Sequence, residues 1–397
     1  MKASNPFRVV IVGGGIAGLT AAIALRGPKR RIIVLEQSRL NTEIGALISL
    51  QPNATKIVYE SLGLGRDLED ARGIVDEGFS SRIVYHRRDL HDALKRAALA
   101  TNREGEPAEI RVSSRVVGCD PLTGVVKLEG GEEVEGDIII GADGIHSVLR
   151  KYVLDTNIAP MPTGHSDMLT GQIPSSVLEE KEPGFCSRIN PRSPFTSMMV
   201  AHSCRLIMGP GRQGDVFGIV ALVPDEQMNE DPKVKQSWVS EGNLTKMMDT
   251  FSEFPTWVTS IFEHSPDLGL WQLRDIDPLR TWYHGRLILI GDAAHAMLPT
   301  QGQGASQAIE DCEALGAFFD KEVEDPSLEE IGGIFENIFR SRHGRASLIQ
   351  VYSRQAAKPG TAKGGKTVTM KPDEFMAFNC KYHGAKEWLS QQEVSGN

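Results

Sequence analysis

The chain has little cysteine: five residues in 397, Cys119, Cys186, Cys204, Cys312 and Cys380, with no CxxC pair among them. An odd, scattered set argues against a disulfide framework and against a zinc site, and it fits a reducing, cytoplasmic setting. Basic charge is also short. Lys and Arg number 43 against 52 Asp and Glu, a net charge of -9. Nucleic acid and anionic membrane both favour a basic face, so neither is an expected partner. No long apolar run is unbroken: Val9 to Leu25 is interrupted by four glycines, and no membrane span is expected. Met1 to Arg8 is polar and has no signal-peptide profile. The Asn-x-Thr patterns at Asn53 and Asn243 are therefore read as chance. No internal repeat is visible.

What is present is a soluble composition, 40% apolar and 24% charged, at a length that outgrows a single core. Val9 to Val12 is a short continuous apolar run, as a parallel strand buried on both faces requires. A glycine turn follows, then a predicted helix from Leu19 to Arg26 and a second strand from Arg31 to Glu36. Arg88 to Ala100 reads as an amphipathic helix. Ile110 to Val117, Val125 to Leu128 and Asp137 to Gly141 read as strands. From Asp155 to about Arg274 the texture changes to strands and Pro/Gly turns, clearest at Ser197 to Met208 and Val216 to Val223, with a helix near Leu244 to Phe251. Leu287 to Ile290 returns to the buried-strand texture, and a long helix follows from Gly304 to Phe319. After Asp320 the chain reads as partly helical, then as a mobile Gly/Lys-rich stretch.

Gly13-x-Gly15-x-x-Gly18 lies between the first strand and the first helix. The first glycine allows the sharp turn. The second admits a pyrophosphate to the backbone, and the third lets helix and strand pack closely. The helix N-terminus offers N–H groups to phosphate. Glu36, 18 residues beyond Gly18, can accept hydrogen bonds from a ribose. The pattern predicts dinucleotide binding without choosing between FAD and NAD. Two more loops follow buried strands: Gly141-Ala142-Asp143-Gly144-Ile145-His146-Ser147, and Gly291-Asp292-Ala293-Ala294-His295. Asp292 is suited to hold a chain of hydroxyls, and Gly302-Gln303-Gly304 opens a further helix N-terminus. Gly360 to Thr367 matches the phosphate-loop pattern GxxxxGK[ST], but no strand precedes it and no helix is predicted after it, so it reads as a basic loop.

Together these residues resemble the flavoprotein aromatic hydroxylases, in particular a salicylate-hydroxylase-like fungal branch. The resemblance runs over most of the chain. It rests on Gly13 to Gly18, Glu36, Glu43 to Ala46 with Pro52-Asn53-Ala54, His86 to Leu90, Asp143-Gly144, Gly291 to His295, Pro299, and Gly302 to Ala305. It implies an α/β fold: a Rossmann-like FAD-binding domain with an inserted mixed-sheet substrate domain and a helical C-terminal region. The expected bounds are 1–155 and 276–325 for the FAD-binding domain, 156–275 for the insert and 326–397 for the C-terminal region.

The resemblance also implies the site. Gly13, Gly15 and Gly18 would cradle FAD, and Glu36 would bind the ribose of its AMP half. Ala46 and Leu47 would contact the cofactor, and Arg87 would lie near its phosphates. Asp292 would hold the ribityl or pyrophosphate region. Gly302, Gly304 and Ala305 would meet the isoalloxazine edge, with Pro299 lining the face where oxygen reacts. Asp143 and Gly144 are associated with both FAD and nicotinamide use. His295 is read as a packed, hydrogen-bonded histidine. The implied reaction takes a hydride from NAD(P)H, forms a flavin hydroperoxide with O2 and hydroxylates an aromatic or phenolic small molecule, salicylate-like or polyketide-derived. No metal is needed. Relatives carry an Arg and a Tyr where this chain has Thr170 and Met208, so His202 and Arg205 become the candidates beside the substrate. The stretch from Pro52 to His86 looks short for the family. Three readings remain beside this one: an NAD-dependent dehydrogenase, a flavin-dependent halogenase without its WxWxIP signature, and a flavoprotein fold kept as a binding module.

Overall fold

The computed structural model describes residues 6–39, 46–78, 81–170, 172–201, 204–225, 240–241, 244–265, 268–320, 326–357 and 368–395. Its centre is a parallel sheet, ordered Leu287–Leu289, Ile138–Gly141, Phe7–Val12, Arg30–Leu35, Glu109–Arg111, with the antiparallel pair Tyr283–His284 at one edge. Val9, Val10, Ile11, Ile138, Ile139 and Ile140 are buried on both faces, which explains their unbroken apolar runs. One face is covered by the helices Ile16–Ala24, Arg87–Leu99 and Gly304–Phe318. The other is covered by a small antiparallel sheet, Val116–Asp120, Val125–Leu128 and Glu133–Glu135, together with Trp282.

A second, antiparallel sheet is ordered Ser197–Ala201, Cys204–Gly211, Val216–Pro224, Met161–Thr170, Leu268–Asp275, Ser240–Glu241, with Ile173–Pro174 pairing to Val216–Pro224. The strand period of two divides its side chains. Cys204, Leu206 and Met208, with Phe217, Ile219, Ala221 and Val223, enter a core shared with Phe185, Met247, Phe251 and Phe262. Arg205, Ile207, Val220 and Leu222 belong to the opposite face. That face meets the first unit. Ideal Cβ atoms at Gly211 and Gly218 would lie 2.6 and 2.7 Å from Leu47 carbons, so Leu47 occupies the groove those glycines leave. Two polar ties reinforce the contact: Arg212 donates to both oxygens of Asp89 at 2.7 and 2.8 Å, and Thr196 Oγ1 donates to Asp76 at 2.6 Å.

Several expectations are corrected. Ile110 to Val117 is not one strand. Glu109–Arg111 closes the parallel sheet and Val116–Asp120 joins the small one, with Ser113 at φ 52° between them. Ser197 to Met208 is two antiparallel strands with Ala201 paired to Cys204. The first helix begins at Ile16, inside the glycine turn. Met161–Thr170 and Leu268–Asp275, inside the stretch read as strands and turns, were not singled out, because their apolar residues lack a clean alternation. The short stretch before His86 still completes a three-stranded sheet, Leu47–Leu50, Ile83–His86 and Ile74–Val75. Beyond Asp320 stands a 30-residue helix, Leu328–Ala357, followed by Pro372–Cys380 and Ala385–Ser395. The GxxxxGK[ST] match lies outside the described residues, and the chain before it is this helix. No described helix is long and apolar enough to cross a membrane.

Candidate active site

Four loops converge at the carboxyl ends of the parallel strands, where an open α/β sheet presents its ligand crevice. They are the glycine turn after Phe7–Val12, Glu36 after Arg30–Leu35, Ala142-Asp143-Gly144 after Ile138–Gly141, and Gly291-Asp292 after Leu287–Leu289. The glycines of the turn differ in what requires them. At Gly13 (φ 108°) a Cβ would lie 2.2 Å from the Ala142 carbonyl oxygen, and at Gly18 it would lie 1.9 Å from that of Gly13. Both positions are demanded by the protein's own packing. Gly15 has nothing within 4 Å of its ideal Cβ and an ordinary φ of -76°. The space beside it is open.

Gly15 caps the helix Ile16–Ala24, which has no side-chain cap and no acid in its first turn. The helix Gly304–Phe318 starts in the same way, and Gly304 also faces open space. The two helices meet where the Cys312 thiol donates to the Ala17 carbonyl at 3.2 Å. Two uncapped N-termini attract anionic or carbonyl groups. Around them stand carboxylates. Glu36 accepts the N–H groups of Gly14 and Ser38, each at 2.7 Å, and His91 donates to the Gly14 carbonyl at 2.7 Å. Asp143 accepts from Val148 and Leu149 through one oxygen, while its Oδ1 is buried with no partner among the described residues. Asp292 opens onto the cradle but is walled in by protein on its other sides. That enclosure pushes its carboxyl above the ordinary value, and His295, Arg87 and Arg150 pull it partly back. Burial raises Asp143 as well, against the pull of its Ser147, Leu149 and Val148 hydrogen bonds.

Beneath the loops lies a buried ionic cluster. Arg150, 1% exposed, donates to the carbonyls of Ala293, Asp292 and Ile145 at 2.9, 3.2 and 3.0 Å, tying two of the loops together. Asp311 accepts from the Gly291 N–H at 2.9 Å and from His295 Nε2 at 2.6 Å. Glu310 and Asp311 face Arg342 and Arg345, and Glu310 also accepts from Asn53 at 2.5 Å. Asn53 is 1% exposed, which suits this role and not glycosylation.

A separate small cleft lies between the second sheet and the Pro299 turn, lined by His165, Arg205, Leu222, Leu273, Leu298, Thr300 and Ala357. Arg205 donates to the Ala356 carbonyl at 2.6 Å. His165 Nδ1 lies 3.2 Å from the Thr163 carbonyl, which can only accept, so Nε2 is left as the proton-accepting nitrogen.

An FAD binding domain family matches residues 7–324. Hispidin-3-hydroxylase of Neonothopanus nambi is 28% identical, with 85% of this chain and 86% of that protein covered. Salicylate hydroxylase of Pseudomonas putida is 31% identical, with 88% and 86% covered. The chain belongs to the FAD-dependent aromatic hydroxylases. The structure of a salicylate hydroxylase substrate complex superposes with a TM-score of 0.76 at 25% identity, covering 98% of both chains.

The residues of this hydroxylase fit FAD. The open space at Gly15, the uncapped helix ends and the orphaned Asp143 oxygen are what a pyrophosphate and polyhydroxyl ligand can occupy. The dehydrogenase and binding-module readings give way to the family. Of the expected cofactor residues, Gly13, Gly15, Gly18, Glu36, Asp143, Gly144 and Asp292 lie on loops at the ends of neighbouring parallel strands, Arg87 stands close enough to act on the Asp292 carboxyl, and Gly302, Gly304 and Ala305 lie at the start of the helix that packs on Ile16–Ala24. Ala46 adjoins Arg87, its carbonyl accepting the Arg87 N–H at 2.9 Å. The Leu47 side chain is committed to the second sheet instead. Pro299 begins the turn beside the cleft. His202 lies outside the described residues, as does the side chain of Thr170. Met208 is 1% exposed in the far core, so it does not occupy the position of a substrate-side tyrosine. The strand period puts Arg205 and Met208 on opposite faces, but does not say which face turns to the first unit. His165, Arg150, Glu310, Asp311, Arg342 and Arg345 were missed. Glu310 and Asp311, adjacent acids in a helix of mostly small and apolar residues, were the available signal, since buried carboxylates require buried cations.

Proposed function

We propose that the protein uses NAD(P)H and O2 to hydroxylate an electron-rich phenol bearing an anionic group, bound in the cleft beside Pro299. The observation that supports this most is the lining of that cleft: three leucines for a flat apolar ring, with Arg205, His165 and Thr300 at its polar points. Bound FAD would supply hydride acceptance and the activation of O2. Gly15 and the helix it caps would hold the pyrophosphate, Glu36 a ribose, and Asp143 and Asp292 further hydroxyls. Gly302 to Ala305 would meet the flavin ring. Arg205, fixed through one N–H by Ala356, keeps further guanidinium donors for a carboxylate or phenolate oxygen. His165 Nε2 would take the phenolic proton, since a phenolate ring is far richer in electrons than a phenol. The leucines exclude water from the reacting face.

The test is NAD(P)H oxidation by the FAD-loaded protein over a panel of phenols, from salicylate-type acids to larger polyketide phenols, with product masses recorded. The expected result is stimulated oxidation with one oxygen gained by an anionic phenol. An Arg205→Met variant should raise KM for that compound about 10- to 100-fold, the worth of a charge-assisted hydrogen bond, with FAD still bound. Equal turnover of neutral and anionic phenols, or an unchanged KM in Arg205→Met, would overturn the assignment.

A further inference from the structure

The helix Leu328–Ala357 lies beyond the residues matched by the FAD binding domain family, yet it supplies the cations of the ionic cluster beneath the cofactor cradle. Arg342 is fully buried and spreads its guanidinium over three partners. Nε donates to Asp311 Oδ1 at 3.0 Å, one terminal nitrogen to Glu310, and the other to Gln307 Oε1 at 2.7 Å. Arg345 makes a forked contact with Glu310 at 2.8 and 2.9 Å, and donates to the carbonyls of Phe378 and Asn379. Two carboxylates thus face two guanidiniums, all out of water.

The second oxygen of Asp311 points the other way in the network. It accepts from the Gly291 N–H and from His295. Those two residues flank Asp292, and Gly291 sits at φ 57°, a conformation open to glycine, so its N–H bond to Asp311 is what fixes the start of the loop. The chain of contacts therefore runs from Arg342 through Asp311 to both ends of the Asp292 loop. Without its cation, a buried carboxylate is uncompensated, and its hold on Gly291 and His295 weakens. Lysine cannot replace the fork, because it presents one point charge where the guanidinium presents three directed donors.

We propose that Arg342 is a positioning residue for the cofactor: through Asp311 it fixes the loop that carries Asp292, so the C-terminal helix is part of the FAD site. The helix would then govern flavin retention and not merely stability.

The experiment titrates FAD into the full-length apoprotein, following flavin fluorescence and the visible band shape, with Tm measured beside it. Arg342→Gln is expected to weaken FAD about 10-fold or more and to alter the flavin band, with Arg342→Lys recovering part of the loss. A Phe185→Leu control, chosen in the far sheet's core, should lower Tm while leaving FAD affinity within about twofold. If Arg342→Gln fails to fold, Arg342→Lys is combined with Asp292→Asn. A shared route makes the double variant no weaker for FAD than Asp292→Asn alone, within about twofold. Arg342 variants that lose Tm yet bind FAD as the Phe185→Leu control does would overturn the proposal. So would full multiplication of the Arg342→Lys and Asp292→Asn effects.

Discussion

Gly15→Ala separates the two demands on the glycine turn. At Gly15 the ideal Cβ meets nothing within 4 Å and φ is -76°, so the folded chain accepts alanine without a clash. Replacing glycine there restricts the unfolded chain, a gain of about 0.4–1 kcal/mol. Alanine is a poorer N-cap than glycine, which costs a comparable amount, on the order of 0.5–1 kcal/mol. The apoprotein should therefore keep its stability within about 1 kcal/mol. On the proposed reading FAD would meet the methyl group directly. Pushing the pyrophosphate off the helix end would cost one charge-assisted hydrogen bond of about 1.5–3 kcal/mol, or roughly 10- to 100-fold in Kd. Gly13→Ala and Gly18→Ala behave oppositely. Their Cβ atoms would lie 2.2 and 1.9 Å from backbone oxygens, so the apoprotein itself should fail. Urea unfolding of the apoproteins and fluorescence titration with FAD measure both halves. Wild-type FAD affinity in Gly15→Ala would refute the reasoning, and so would a stable Gly18→Ala.

The other predictions concern charge and packing. Asp292 stands above its ordinary pKa because enclosure outweighs the pull of His295, Arg87 and Arg150. Hydroxyl donors from FAD favour its ionised form, so FAD affinity should rise with pH through the ligand-free value, and Asp292→Asn should flatten that rise. A wild-type affinity independent of pH would sink this. Burial raises Glu310 and Asp311, but Arg342 and Arg345 for the first, and His295 and Arg342 for the second, outweigh it and hold both below their ordinary values. Their folded pKa is depressed, so their stabilisation is present above the unfolded value of about 4 and is lost as pH falls through the folded value. Urea midpoints should drop steeply on that acid limb, and Glu310→Gln should be weaker at neutral pH but less acid-sensitive. Phe185, buried and edge-on to Phe217 at 5.5 Å, anchors the second sheet's core. Phe185→Ala should cost about 3–5 kcal/mol in chemical unfolding, and a loss under about 1 kcal/mol would show that the sheet core is organised otherwise.

The cofactor cradle was legible in the chain because its determinants are local. A buried parallel strand writes itself as an apolar run, and the turn after it requires glycine at fixed offsets. An acid at the end of the next strand completes the set, so the strand-end loops that carry Gly13 to Gly18, Glu36, Asp143 and Asp292 could be located by position alone. The substrate side was not legible in this way. An alternating strand shows which residues share a face, and so separates Arg205 from Met208. It does not say which face meets the cofactor. That was decided by Leu47 seating against Gly211 and Gly218, contacts more than 150 residues apart in the chain. The cleft likewise joins His165, Arg205, Thr300 and Ala357 from four separate segments.

The C-terminal helix is the clearest case. By itself the sequence determined a long helix over Gly304 to Phe319 with Glu310 and Asp311 side by side in it, and a stretch carrying Arg342 and Arg345 further on. Only the tertiary structure decided that these charges meet at full burial beneath the Asp292 loop. Ion pairing in a dry interior depends on which helices pack together, and that is set by the summed burial of many apolar side chains, not by the spacing of the charges.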